Sequence, residues 1–389
     1  MPTTLTPPAN QTQSAVKTAP AKSRKRAAWL VAAEALALCA VSIAALEGFL
    51  KMAAIGQQEF LEPDKQLGCH HIAGKQVTWR MEGFSNETLS STGLRDTEHS
   101  LAKPANVTRI ALLGDSSTEG MQVALDQTYG KLLEKYLNAS GNRQFEVINF
   151  ACSSYSTGQQ LLQYEQDVRK YKPDIVLLLY NRGDSVENVF VPGPSALSSP
   201  RPYFYSDAAG AIQCDRAVMS ACSSKLQPNA VMDYLRSNSR IYGVLSQTGL
   251  ALSINEPRYR KIAGWFTTLV ASRTKNDGPS TWAVPYAKQD PEKVTGALLT
   301  KLQGDVEKDG AKFVLVMFPN TVKDPVYMRQ EAEYQTLATK NHFPFVNMTA
   351  PFFAYGDTKQ LFLQYHLSAK GHEVVAEQLL PLIKSLARN

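Results

Sequence analysis

Cysteine is scarce in this chain, with five residues in 389. No CxxC pair and no Cys/His cluster with zinc-site spacing occurs, so a structural zinc module is excluded. The nearest grouping is Cys69-His70-His71, and adjacent histidines are more often surface residues than ligands. No GxGxxG follows the first strand-like run, which removes a dinucleotide-binding domain of the Rossmann kind. No internal repeat is evident. A basic face is lacking too, although the net charge is +6. Five basic residues (Lys17, Lys22, Arg24, Lys25, Arg26) fall in the first 26 positions, where no acidic residue stands. The rest is nearly balanced, so nothing indicates nucleic acid.

What is present begins with those N-terminal charges. Residues 1–26 are rich in Thr, Pro, Ala, Gln and Lys, and are too polar to pack. One long apolar run follows, residues 27–50, enough at about 1.5 Å per residue to cross ~30 Å of hydrocarbon. The basic flank assigns the N-terminus to the cytoplasm and the remainder to the far side. Glu34 lies inside the run and would cost about 2.5–3.5 kcal/mol at the bilayer centre, less near an interface. Ser42-Ile43-Ala44 also fits a signal-peptidase site, so a cleaved signal peptide is the alternative to a retained anchor. Cys214 and Cys222 would close a short loop as a disulfide in an oxidising compartment.

Residues 51–105 read as an irregular lead-in, with turns at Gly68, Gly74, Gly83 and Gly93. From Val107 the pattern alternates. Apolar runs at Val107–Gly114, Phe145–Ala151, Asp174–Tyr180, Lys312–Phe318 and Phe343–Met348 read as buried strands. Helical spacing occupies Leu125–Leu137, Thr157–Tyr171, Glu292–Lys308, Asp324–Lys340 and Ser368–Ala387. Such alternation predicts a flavodoxin-like three-layer α/β/α sandwich with a central parallel sheet, preceded by one transmembrane helix. The domain would span 106–389. A Pro-rich interruption at about 189–290, with mixed apolar helices near Val231–Leu252, reads as an insertion folding over the sheet edge as a lid or flap.

In open parallel sheets the chemistry sits beyond the C-terminal strand ends. The first such loop is Gly114-Asp115-Ser116-Ser117-Thr118-Glu119-Gly120. A serine between strand and helix lies where backbone N–H groups converge, which suits a nucleophile needing an oxyanion hole. The last loop carries His366, and His372 follows within a helix, where a structural role is expected.

Four segments in order resemble the SGNH/GDSL hydrolase family. They are Gly114–Thr118, the Asn149–Gln160 loop (NFACSSYSTGQQ), Tyr180–Asn188 (YNRGDSVEN) and Tyr365–Leu379 (YHLSAKGHEVVAEQL). The segment Gly93–Asp96 (GLRD) is similar to membrane-anchored bacterial members. The resemblance implies Ser116 as nucleophile and His366 as general base, with no cofactor and no metal. It implies an oxyanion hole from the Ser116 amide, the Ser154 amide where the family has glycine, and Asn181 or Gly183. Gly183 stands where the family has asparagine, and loss of one such donor can cost about a hundred- to thousandfold in rate. The acid expected before the histidine is absent. Gln364, or Asp357 from the same loop, is left as the orienting residue.

The function implied is an esterase removing acyl groups, O-acetyl above all, from a cell-surface or exported polysaccharide. The alternatives are an acyltransferase on the same substrates, or a catalytically degenerate binding or scaffold subunit of an envelope polysaccharide machine. The expected partners are an acylated carbohydrate, the membrane, and polysaccharide biosynthesis or export proteins. The expected location is a bacterial inner membrane, with the catalytic domain in the periplasm.

Overall fold

The computed structural model describes residues 21–139, 144–189, 201–207, 209–216, 230–246, 289–319 and 325–388. Two compact units emerge, Met1–Ala53 and Ala54–Asn389. In the first, α1 (Ala21–Met52) is one helix of 32 residues. Its Ala28–Met52 portion is long and apolar enough to cross a membrane.

The second unit opens with four short strands where the sequence suggested irregular chain. β1 (Leu61–Asp64) pairs antiparallel with β2 (Gly68–His71), and β3 (Gln76–Trp79) with β4 (Ser85–Thr88). Strands of four residues are too short to show a period, which is why the pattern is silent there. Their turns use glycine in the left-handed region, with Gly68 at φ +91° and Gly83 at φ +67°.

The main sheet has β5 (Val107–Leu113), β6 (Gln144–Asn149), β7 (Ile175–Tyr180), β8 (Lys312–Met317) and β9 (Phe345–Asn347) in the order β9-β8-β7-β5-β6. All four pairings are parallel. Numbered along the chain this is the 2-1-3-4-5 order of flavodoxin-like sheets, with the switch point between β5 and β7. Alternate side chains serve opposite layers, as strand geometry requires. Ile110 and Leu112 face the helices α2 (Tyr129–Asn138) and α3 (Ala369–Leu386). Ala111 and Leu113 face α4 (Thr157–Gln166) and α5 (Pro291–Lys308) on the other side. Both layers are fully buried, so the strands read as unbroken apolar runs; each such side chain contributes about 1.5–3 kcal/mol.

Two of the expected helices are divided. Residues 125–137 become a 3-10 turn, Leu125–Gln127, and then α2, because Thr128 is extended (φ −68°, ψ 147°) and caps the second piece. Thr157–Tyr171 breaks at Asp167, and its last turn ends on Lys172 at φ +51°. Pro173 follows, and a residue before proline is driven out of the right-handed helical region.

Of the insertion, the described parts pack on two places. A hairpin of Tyr203–Ser206 and Ile212–Asp215 sets Phe204 against α4 at Gly158, where a Cβ would lie 2.1 Å from the ring. A helix at Ala230–Asn238 joins the lead-in, the Glu59 amide donating to the Arg236 carbonyl at 3.0 Å. The rest of the 189–290 insertion expected to act as a lid or flap, residues 190–200, 208, 217–229 and 247–288, lies outside the described residues, as does the Cys214–Cys222 pairing because of Cys222.

Candidate active site

Ser116 is the first residue of a single helical turn, Ser116–Glu119, that starts directly beyond β5. Asp115 caps it, its carboxylate accepting from the Ser117 amide at 2.9 Å. Gly120 closes the turn in the left-handed conformation, φ +72°. Gly114 is required by space, since a Cβ there would fall 2.2 Å from Thr118 Oγ1. The turn is held from below by the Tyr129 hydroxyl on Thr118 Oγ1 (3.1 Å) and by the Asn149 amide on the Thr118 carbonyl (3.0 Å). Ser116 is thus presented on a rigid corner at the switch point.

His366 arrives from the other end of the chain. It sits in a tight loop where the Leu363 amide donates to the His366 carbonyl at 2.8 Å. Ser368 then caps α3, accepting from the Gly371 amide at 3.2 Å. Gly371 has no room for a side chain, because a Cβ would lie 2.1 Å from the Leu361 carbonyl oxygen. That close approach is the physical content of the His-then-Gly spacing. The result puts His366 Nε2 at 2.8 Å from Ser116 Oγ.

The other ring nitrogen, Nδ1, is paired with the carboxylate of Glu82. Glu82 lies in the turn between β3 and β4, in the lead-in. Its second oxygen accepts from the backbone amides of Tyr365 at 2.9 Å and His366 at 3.4 Å. Burial alone would raise its pKa, but the Tyr365 amide and the His366 imidazole outweigh that and hold the carboxyl below its usual range. Neither Gln364 nor Asp357, the two residues expected to orient His366, meets its Nδ1. Asp357 spends its carboxylate on the following 3-10 turn, accepting from the Lys359 amide at 3.2 Å. Gln364 is exposed and faces a cleft beside the site.

Why the lead-in delivers Glu82 so far from its own neighbours in sequence is visible in three contacts. Phe84 N–H donates to the Gln122 carbonyl at 3.0 Å, and Ser85 Oγ donates to the Met121 carbonyl at 2.6 Å. Gly83 sits against the same segment, where a Cβ would be 2.0 Å from the Gln122 oxygen. The turn is strapped to the chain leaving the Ser116 corner. Arg95, buried, fixes that corner further by donating to the carbonyls of Glu119 (2.8 Å) and Val123 (2.5 Å) while paired with Glu87 at 3.2 Å. A lone glutamate in a turn gives no local signal. The only hint in the sequence was the missing acid before His366.

The remaining expected site residues are placed as follows. Ser154 adopts φ +65°, the left-handed conformation that glycine takes without strain. Its loop reaches the nucleophile corner through the Cys152 amide, which donates to the Gly114 carbonyl at 3.3 Å. Asn181 follows β7, and its Nδ2 donates to Asp115 Oδ2 at 3.1 Å, tying the first and third loops together. Burial pushes the Asp115 carboxyl above its usual range. Gly183 caps a short helix, Asp184–Asn188, and its amide faces Asn181 Oδ1 at 3.4 Å. Neither Ser154 nor Gly183 is hydrogen-bonded to Ser116 or His366. His372 is buried in α3, where its Nδ1 accepts from the Tyr129 amide at 3.2 Å. No group of three or more metal-ligating side chains occurs among the described residues.

No family model and no curated protein matches this chain. Solved structures with a similar chain path include that of TesA, at 12% identity and TM-score 0.41, covering 72% of this chain and 99% of the other. The esterase EstA from Pseudoalteromonas sp. is similar at 13% identity and TM-score 0.40, with 72% and 100% covered. An acetyl xylan esterase, AlAXEase, follows at 13% and 0.39, with 71% and 99% covered.

Proposed function

We propose that this chain is a serine esterase of the SGNH type, acting through an acyl-enzyme on Ser116. One observation carries the reading: Ser116 Oγ, His366 and the Glu82 carboxylate are joined in line, with Nε2 at 2.8 Å from the hydroxyl. With Nδ1–H donated to Glu82, Nε2 is the free lone pair and accepts the Ser116 proton. Oγ then attacks the acyl carbonyl carbon. The resulting oxyanion is served by the Ser116 amide, by the Ser154 amide, and by the Asn181 side chain. Asn181 Nδ2 carries two hydrogens, of which Asp115 uses one. His366 returns its proton to the departing alkoxide oxygen, leaving an acyl ester on Ser116. Water, activated by the same nitrogen, releases the acid. Glu82 touches no reacting atom; as a positioning residue it fixes the tautomer and stabilises the imidazolium.

The substrate class in this reading is an O-acylated, above all O-acetylated, polysaccharide at the cell surface. The apolar helix Ala28–Met52 and its basic flank support a membrane-anchored protein with the site in the periplasm. Degeneracy is disfavoured by Glu82, which supplies the negative charge that Gln364 lacks.

The test is labelling of the detergent-solubilised full-length protein with a fluorophosphonate, beside Ser116→Ala and His366→Ala. Labelling of the wild type that disappears in both variants is the expected result, followed by acetate release from acetylated glycans. A folded wild-type protein that resists the probe would overturn the reading.

A further inference from the structure

Next to His366 the surface opens into a cleft of about 530 Å³ beyond the ends of β7 and β8. The two residues directly before the histidine, Gln364 and Tyr365, form part of its wall. Asn181, the oxyanion donor of the proposed mechanism, lines it as well, so the cleft adjoins the reacting centre. Among the described residues two cations face the cleft, Arg182 and Lys359, against one carboxylate, Glu331. The Arg182 guanidinium lies over the Tyr327 ring, 3.9 Å from its centroid. That stacking holds the planar fork in place, and its N–H edges have no partner among the described residues. Neither cation has an acidic partner among the described residues. Glu331 is already engaged, accepting from Thr349 Oγ1 at 2.6 Å.

We propose that this cleft binds the sugar part of the substrate and selects a glycan carrying carboxylates, a uronic acid residue meeting Arg182 and Lys359. The proposal rests on Ser116 and His366 being the reacting pair, since only then does the cleft adjoin a reacting centre. Three features favour a sugar acid. A guanidinium fork matches a carboxylate by two parallel hydrogen bonds. Phe318, Phe362 and Tyr365 add flat apolar surface on which the C–H face of a pyranose can lie. Two cations opposed by one carboxylate suit a monoanion better than a doubly charged phosphate monoester. A long acyl chain fits badly, because it would strip water from two cations that are unpaired among the described residues and give them nothing in return.

The experiment is binding to full-length Ser116→Ala protein, which cannot turn substrate over, by titration calorimetry in detergent. The ligands are an oligouronate, the same oligomer with its carboxyls reduced to hydroxymethyl groups, and a long-chain fatty acid ester. The expected result is at least a tenfold preference for the oligouronate, the equivalent of about one charge-assisted contact. The preference should shrink as salt is raised. Arg182→Gln and Lys359→Gln, each checked for an unchanged melting temperature, should each remove most of it. Equal affinity for the acidic and reduced oligomers, binding of neither, or tighter binding of the ester would overturn the proposal. Because the wild-type comparison needs no cleft variant, it stands even if a substitution disturbs folding. The outcome is independent of fluorophosphonate labelling: an unlabelled protein that prefers the oligouronate would refute the esterase and leave an acidic-glycan binding site. A labelled one that does not would refute only this assignment.

Discussion

The parallel sheet and the lead-in hairpins both converge on Ser116, and they do so with a different balance of contacts. The sheet brings the serine to its corner by apolar burial, with Ile110, Leu112 and Leu113 fully enclosed between two helical layers. The lead-in rests on a small apolar cluster of Phe60, Val77, Leu89 and Met121, but sets the Glu82 turn itself by polar contacts: Phe84 and Ser85 on the backbone of Gln122 and Met121, and buried Arg95 on two further carbonyls. The two build differently because they are asked for different things. Apolar packing is non-directional and makes a tolerant scaffold. Hydrogen bonds are directional and can set a carboxylate to within the few tenths of an ångström that an imidazole partner requires.

If that contrast is right, the largest effect should come from the hairpin rather than from the loop that carries His366. Glu82→Gln keeps much of the shape but removes the charge and the tautomer control. Labelling and ester hydrolysis should fall by about 10²- to 10⁴-fold, with KM little changed. Asp357→Asn, in the turn that the sequence singled out, should stay within a few-fold of wild type. Steady-state kinetics on a small acetyl ester, taken across a pH range, separates the two. Equal losses in both variants would mean that the hairpin is not what orients His366.

How far the sequence could be read follows the same division. The five strands and the helices that cover them announce themselves, because two-faced burial writes an apolar run that anyone can see. Ser116 and His366 were legible as well, each marked by a glycine whose missing Cβ makes room: Gly114 under Thr118, Gly371 under Leu361. Glu82 was not legible. Its position depends on backbone carbonyls at Met121 and Gln122, and a carbonyl carries no residue identity to recognise. Gln364 and Asp357 were attractive only because they are near His366 in sequence. The chain instead reaches Nδ1 from a turn that is separated from His366 by most of the domain.

The glycines of the lead-in offer a second, smaller probe. Gly83 and Gly74 share a left-handed backbone, at φ +67° and +64°, but only Gly83 is crowded, by the Gln122 oxygen at 2.0 Å. Alanine at Gly74 meets only the conformational penalty of about 1 kcal/mol. Alanine at Gly83 adds a backbone collision and should lower the melting temperature by several degrees more. It should also slow labelling, because the turn carrying Glu82 must shift. Equal melting temperatures for the two variants would show that the strap is loose.

The smallest effect concerns the two histidines near the end of the chain, which the lead-in treats in opposite ways. His366 meets the Glu82 carboxylate, whereas His372 lies in the field of the Arg95 guanidinium. Burial first, then Arg95 and His366, push the His372 pKa down to about 3. Its neutral ring can then accept the Tyr129 amide. The sign follows from linkage: a histidine with a folded pKa below the unfolded value of ~6.5 costs nothing above that pH. As pH falls below ~6.5 the unfolded chain takes up a proton that the folded chain refuses, and stability is lost progressively down to about pH 3. At pH 5 this amounts to about 2 kcal/mol. His372→Gln retains an acceptor for the Tyr129 amide but cannot titrate, so it should start less stable at pH 7 and lose less on acidification. Denaturant melts of both proteins at pH 7 and pH 5 measure the difference, in which other titrating groups cancel. Parallel losses would mean that His372 is protonated in place, and that burial and the Arg95 charge do not keep it neutral.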